Sequence, residues 1–252
     1  MKIQYCSDLH LEFPLNKEFI TLNPLIPEGD ILILAGDIVP FKYLAQANDF
    51  FHFCSSNFKE TYWIAGNHEY YYGILDGRVG EFKEEIVKNV FLVNNYTLEK
   101  ENFRIVFSTL WSKISDRRAP YIQKGMYDYH VIEDNNKLFT TKRCNELFEE
   151  NFHYIKNAVE KDNVKQNIVV THHVPTFQHY PEEYLDSVIN EGFATNLDSF
   201  IEGAAIHSWI FGHHHRNVPE FEIGGTRLLT NQLGYVKYAE HKGFRRNALI
   251  TL

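Results

Sequence analysis

Short runs of apolar residues that stop abruptly at polar ones recur along the chain, at residues 2–6, 31–35, 61–65, 103–110, 167–171 and 208–211. Runs of this length, rich in Ile, Val, Leu and aromatics and bounded by turn residues, predict strands buried on both faces. Between them the period changes to three and four. Cys144, Leu147, Phe148, Phe152, Ile155, Ala158 and Val159 fall on one helical face, with Thr140 or Thr141 in position to cap it. Val79, Phe82, Ile86 and Val87 predict a second helix, and the segment 44–58, with Phe50, Phe51 and Phe53, a third and weaker one. Strands alternating with helices make βαβ units and hence an α/β fold. The C-terminal third reads differently: residues 221–223, 226–230 and 248–252, separated by Gly-containing turns, predict antiparallel strands. Residues 112–139, with Arg117, Arg118, Pro120, Gly125, Tyr127, Tyr129 and His130, are the least regular stretch and read as a long surface loop, either a lid or plain coil.

No internal repeat, low-complexity tract or linker interrupts this order, so residues 1–252 are expected to form a single domain with one large core. An apolar fraction of 44% against 23% charged excludes a disordered or fibrous chain. A formal charge of −8 argues against an extended nucleic-acid surface, which draws its affinity from clustered Lys and Arg. Cys6, Cys54 and Cys144 have no paired spacing, which disfavours both a disulfide framework and a thiolate metal site and fits a reducing compartment. The N-terminus lacks the apolar stretch of a signal peptide, and nowhere do about 18 uninterrupted apolar residues occur. A cytoplasmic protein with no membrane partner is the expectation.

The apolar runs end in residues able to bind metal: Asp8 and His10, then Asp37, then Asn67 and His68, then His172 and His173, and last His213, His214 and His215. Ligands of α/β sheets gather beyond the carboxyl ends of strands, so groups scattered over 200 residues of sequence could converge. Two carboxylates, an amide oxygen and four imidazoles, with no thiolate, suit Mn, Fe, Zn, Co or Ni rather than a structural zinc site. One ion is too few for so many ligands. Asp37 could bridge two divalent metal ions roughly 3.5 to 4 Å apart, a spacing at which a shared water is strongly acidified and becomes the nucleophile. Two such ions less two carboxylates leave a charge of about plus two, which an anionic, phosphorylated small molecule would neutralise. Hydrolysis of a phosphate ester also needs a proton on the departing oxygen, and His68, beside Asn67, is placed to supply it.

The order Asp8-Leu9-His10, Gly36-Asp37, Gly66-Asn67-His68-Glu69, His172 and Gly212-His213-His214-His215 resembles the calcineurin-like metallophosphoesterases, over residues 8–215. Leu110-Trp111, Met126 to Tyr129, and Gly225-Thr226-Arg227 followed by Asn231 and Gly234 are similar to segments of its small, single-domain bacterial members. The resemblance implies a four-layer α/β/β/α sandwich, two mixed β-sheets flanked by helices. It implies one metal held by Asp8, His10, Asp37 and His215 and another by Asp37, Asn67, His172 and His213. His172 takes the ligand role because it directly follows its strand, leaving His173 and His214 as neighbours of the ligands or of substrate. The chain departs from similar members at Tyr127, where they tend to show Asn, and at His130, where they tend to show Arg. Glu69 could orient His68, as outer carboxylates do, or cap a helix. Tyr70, Tyr71 and Tyr72 could line the pocket and stack on a base or sugar, or pack at a helix start. The resemblance thus implies a phosphomonoesterase or phosphodiesterase. The alternative, an inactive scaffold of the same fold, is expected of relatives that have lost ligands or the acid, and here all seven ligands and His68 are present.

Overall fold

In the computed structural model, which describes residues 1–75, 77–161 and 166–251, the apolar runs become the central strands of two sheets. The first part of the chain forms β1 (Lys2–Cys6), α1 (Pro14–Leu22), β2 (Ile31–Ala35), α2 (Asn48–Asn57), β3 (Glu60–Ile64), β4 (Phe82–Val87), β5 (Val90–Asn94), β6 (Tyr96–Glu99) and β7 (Arg104–Phe107). There follow α3 (Ala119–Gly125), α4 (Asp128–Val131), the two-residue strands β8 (Glu133–Asp134) and β9 (Lys137–Leu138), and α5 (Thr141–Glu160). The chain ends with β10 (Asn167–Val170), α6 (Asp198–Gly203), β11 (Ile206–Phe211), β12 (Phe221–Ile223), β13 (Thr226–Thr230) and β14 (Leu249–Thr251). Strand order is β14-β1-β2-β3-β5-β4 in one sheet and β12-β13-β11-β10-β7-β6 in the other. In each, four inner strands run parallel and the edge strands are antiparallel.

The register explains why the strands read as unbroken apolar runs. Tyr5 pairs with Ile33 and Ile33 with Tyr62, a row that faces the second sheet and packs on Ile105, Phe107 and Ile168. The alternate residues Leu32, Leu34 and Trp63 face outward onto Phe50, Phe51 and Cys54 of α2. On the far side Val169, Trp209 and Leu228 meet Phe148, Ile155 and Val159 of α5. Both faces of both sheets are therefore covered, as parallel sheets require, and the architecture is the expected four-layer α/β/β/α sandwich. Of the two candidate caps for α5, Thr140 acts: its side chain accepts from Arg143 N at 3.2 Å.

Four expectations need correction. Residues 79–87 are not a helix: Phe82–Val87 is an edge strand, antiparallel to β5. Lys83 and Glu85 are exposed while Phe82, Glu84 and Ile86 are half-buried, so the period is two. The segment 44–58 begins as a 3-10 turn, Phe41–Ala47, and becomes α-helical only at Asn48. Residues 112–139 are no surface loop, since Ile114, Ile122, Tyr129, Ile132 and Phe139 are buried and pack with Trp111 and Leu147. The C-terminal strands are antiparallel where β12 meets β13 and β14 meets β1, but β13 runs parallel to β11; Leu252 lies outside the described residues. Among those residues no helix is long and apolar enough to cross a membrane.

Phe107 is fully buried between the sheets and stacks on Tyr62 with ring centroids 5.2 Å apart. Phe107→Ala is expected to lower the free energy of unfolding by about 3–5 kcal/mol, read from urea denaturation followed by tryptophan fluorescence.

Candidate metal centre

Beyond the C-terminal ends of strands from both sheets, two groups of side chains form, each with its ligand atoms within 4.8 Å of one another: Asp8, His10, Asp37 and His215, and Asp37, His172 and His213; His10, Glu12 and His68 form a third such group. Asp37 belongs to the first two. Its Oδ2 lies 3.7 Å from His10 Nε2 and its Oδ1 3.4 Å from His172 Nε2. In the first group His10 Nε2 and His215 Nε2 are 2.9 Å apart, and His215 Nε2 is 3.4 Å from Asp8 Oδ1. In the second, His172 Nε2 lies 3.2 Å from Asn67 Oδ1 and 3.1 Å from His213 Nδ1. The structure therefore brings together all seven residues named from the sequence, and six of them are buried, His215 being partly open.

The backbone is bent to achieve this. Asp8, His10, Asp37, His213 and His215 all have φ between 47° and 79°, a left-handed conformation that costs about 1–3 kcal/mol for such residues and persists only where neighbours enforce it. The enforcing bonds are Asp8 N to Gly36 O, His10 N to Asp37 O and Gly212 N to His172 O, at 2.9 to 3.0 Å. Two glycines give room. A Cβ on Gly36 would stand 2.3 Å from His172 Nδ1, and one on Gly66 would stand 2.3 Å from Asp37 Oδ1 and 2.6 Å from His172 Nε2.

The surrounding hydrogen bonds show which atoms are free to bind. His10 Nδ1 lies 3.1 Å from Glu12 Oε1, His215 Nδ1 2.9 Å from Glu240 Oε2, and His172 Nδ1 2.9 Å from the carbonyl of Ala35. Each partner accepts only, so the proton sits on Nδ1 and the Nε2 lone pair faces the cluster. Lone pairs then oppose lone pairs and carboxylates, and the cluster demands positive charge. Against the cost of burial, hydrogen bonds to Asp8 and Glu240 push His215 up to about 10, and the charge of Asp37 pushes His172 up to about 9. A proton meets that demand for one pair at a time, whereas a divalent cation meets it for a whole group of ligands. The donor set fits divalent metal.

Glu69 neither orients His68 nor caps a helix. Its carboxylate accepts from Asp37 N, Ile38 N, Gly66 N and Trp63 Nε1 at 2.6 to 3.1 Å, tying the loops after β2 and β3 together behind Asp37. Burial and the charge of Asp37 push it up to about 8, while the donors from Ile38 and Gly66 pull the other way. Glu12 is the carboxylate at His68: its Oε1 lies 3.2 Å from His68 Nδ1 as well as reaching His10. His68 stacks on Tyr71 with ring centroids 4.0 Å apart, and its Nε2 is 3.4 Å from Tyr235 Oη. Burial works against charge on His68, but Asp37 and Glu12 raise its pKa on balance. His173 packs against His213 at 4.3 Å and bonds Ser112 Oγ through Nδ1, and His214 accepts from Gln232 Nε2. His173 stands behind the ligands, whereas His214 also lines the cavity. The three tyrosines divide: Tyr70 is core, Tyr71 walls the cavity under His68, and Tyr72 is half exposed at its rim.

Glu12, Glu240, Gln232 and Tyr235 were not found from the sequence. Glu12 carried a signal, a carboxylate two residues past His10 in Asp8-Leu9-His10-Leu11-Glu12. Gln232 lies inside the Asn231-to-Gly234 segment, and Glu240 and Tyr235 lie on or beside 3-10 turns that carry no periodic pattern.

A buried array of imidazoles and carboxylates at the strand ends of a double-sheet α/β sandwich defines a metal-dependent hydrolase. The chain belongs to the calcineurin-like phosphoesterase family, whose sequence profile matches residues 1–217. It is accordingly a metal-dependent hydrolase of phosphoric esters. An uncharacterized protein of Acanthamoeba polyphaga mimivirus is 34% identical over 259 residues, covering 92% of this chain and 91% of that one. The phosphopantetheinyl hydrolase of Mycobacterium tuberculosis shares the fold, with a TM-score of 0.72 at 16% identity over 99% of this chain and 95% of that one.

Gly66→Ala is expected to displace Asp37 and His172 and to leave the protein folded but depleted of metal after desalting, measured by atomic emission. Gly73→Ala, whose Cβ would meet only Tyr70 O at an ordinary 3.5 Å, is expected to keep the full complement.

Proposed function

We propose that this chain hydrolyses a small phosphomonoester or phosphodiester at a dinuclear centre, with Asp8, His10, Asp37 and His215 holding one divalent ion and Asp37, Asn67, His172 and His213 the other. The observation that carries this is Asp37, which turns one oxygen toward each group. Bound there, two such ions supply Lewis acidity toward the phosphoryl oxygens and acidify water. The residues supply the rest. Asp37 and Asp8 hold their charge in place through backbone donors, His68 N to Asp37 Oδ1 at 2.9 Å and His213 N to Asp8 Oδ1 at 3.0 Å. Asn67 presents a neutral oxygen, so the second group carries less negative charge than the first and attracts an anionic ester more strongly.

His68 acts as general acid. Glu12 accepts at Nδ1 and holds a proton there, which leaves Nε2 as the atom that faces the cavity and passes a proton to the departing oxygen. Tyr71, stacked beneath the ring, and Tyr235, beside Nε2, keep the imidazole from rotating away and keep bulk water from the transfer.

Protein stripped of metal is expected to be inactive on p-nitrophenyl and bis-p-nitrophenyl phosphate and to regain turnover with one or more of Mn, Zn, Fe, Co or Ni. Asp37→Ala should regain none. Stoichiometric metal binding without turnover of any ester would favour the inactive scaffold instead. His68→Ala is expected to slow esters with poor, alkyl leaving groups by about 10²–10⁴ while sparing activated aryl esters far more. Equal loss on both would assign His68 a structural role.

A further inference from the structure

Two hollows meet at His68. One, about 460 Å³, contains Asp37, Asn67, His213 and His215; the other, about 570 Å³, contains none of the seven ligands. His68, Tyr71, Tyr127 and Tyr235 form the wall between them, since they line both. If His68 protonates the departing oxygen, the phosphoryl group occupies the first hollow and the departing group extends past His68 into the second.

The second hollow is walled by rings: Phe13, Tyr43, Tyr72 and Tyr127 in addition to Tyr71 and Tyr235. Phe13, Tyr72 and Tyr127 are 41%, 50% and 52% exposed, so three large rings stand in solvent around one opening. They are held in place. Tyr72 Oη and Tyr127 Oη are 3.0 Å apart, Tyr127 meets Tyr71 edge-on at 5.6 Å, and Phe13 meets Tyr235 edge-on at 5.4 Å. Fixed, exposed aromatic faces beside a reactive centre offer stacking surface to a flat ligand.

The charge around them limits what that ligand can be. Among the described residues no Lys or Arg lines either hollow. Apart from His68 itself, the one charged group lining the second is Glu12, whose Oε1 is already engaged by His10 and His68. Lys42 lies 5.8 to 5.9 Å over the rings of Tyr72 and Tyr43 without lining the hollow. A second phosphate, or a polyphosphate chain, extending past His68 would meet the Glu12 carboxylate within the hollow and a lysine only outside its lining.

Resting on the phosphoesterase reading above, we infer that the ring-walled hollow is the leaving-group subsite and that it takes a planar aromatic or heteroaromatic group carrying no charge of its own. Tyr127 belongs to this wall together with Tyr72, to which its hydroxyl is joined.

The test measures binding without turnover. Adenosine and 1-naphthol, as uncharged flat probes, are titrated into the purified protein and followed by saturation-transfer NMR, beside adenosine 5′-diphosphate in the presence of chelator. At least one uncharged probe is expected to bind, the diphosphate no more tightly than adenosine, and Tyr72→Ala and Tyr127→Ala each to weaken the uncharged probe by about tenfold. In the metal-loaded protein Tyr72→Ala, at a residue that lines only the second hollow, should leave inhibition by inorganic phosphate unchanged. Binding by neither uncharged probe, or binding that both variants leave intact, overturns the subsite. So does a ring variant that dissociates a dimer without touching probe binding, which would give the rings to contact between copies. Failure of the phosphoesterase reading shows separately, as absence of turnover with every metal; failure of the subsite shows as turnover retained with no probe bound.

Discussion

His10 Nε2 and His215 Nε2 lie 2.9 Å apart, with both Nδ1 atoms committed to carboxylates, and Asp37 sits between this pair and a second cluster in which Asn67 Oδ1 faces His172 Nε2. Acceptors packed against acceptors, away from water, are unfavourable by themselves. Only positive charge reconciles them, and the fold is arranged to hold them until it is supplied. Five left-handed residues among the seven ligands, and glycines at 36 and 66 with no space for a Cβ, are local concessions to this packing. Each is affordable because the strands behind it are buried on both faces and cannot relax.

The same need explains the outer ring of bonds. An imidazole that can rotate or exchange tautomers is a poor ligand, and four of the rings have their Nδ1 anchored: His10 and His68 by Glu12, His215 by Glu240, His172 by the Ala35 carbonyl. The last bond runs from one sheet to the other, as does Thr109 Oγ1 donating to Ala65 O at 2.8 Å. The two sheets are thus joined at the site as well as through the apolar interface of Tyr62 and Phe107. Separating them by a fraction of an ångström would move one half of the ligands relative to the other, so the core between the sheets sets the accuracy of the centre.

What the sequence disclosed follows from this arrangement. Parallel strands buried on both faces leave unbroken apolar runs, and a centre at their carboxyl ends places its ligands directly after those runs. The layer structure was therefore legible, as was the gathering of these seven side chains at the strand ends. What failed lies where the pattern is short or the partner is distant. Phe82–Val87 is an amphipathic edge strand too short to separate a period of two from one of three and a half, and only the pairing with β5 decides it. Residues 112–139 lack periodicity because their buried members, among them Ile114, Ile122 and Tyr129, come from short helices and turns. Glu240 reaches His215 from 25 residues away through irregular chain, and no local spacing could announce that.

Tyr70, Tyr71 and Tyr72 show where sequence reasoning meets its physical limit. Three identical side chains in succession differ in fate because the backbone changes conformation at each step. His68–Tyr70 is a 3-10 turn, Tyr71 is extended, and Tyr72 has a φ of 57°. The turn sends Tyr70 inward onto Phe41 and Trp111, the extended residue lays its ring under His68, and the left-handed one projects its ring into solvent opposite Tyr127. The short segment 67–72 thereby provides a candidate ligand, the imidazole proposed as proton donor, a core anchor, the support beneath that imidazole and part of an exposed wall. Because these residues share one backbone path, the His68 imidazole and the ring-lined hollow are fixed relative to Asn67, and on the proposed reading that path ties the place of the departing group to the place of the phosphoryl group.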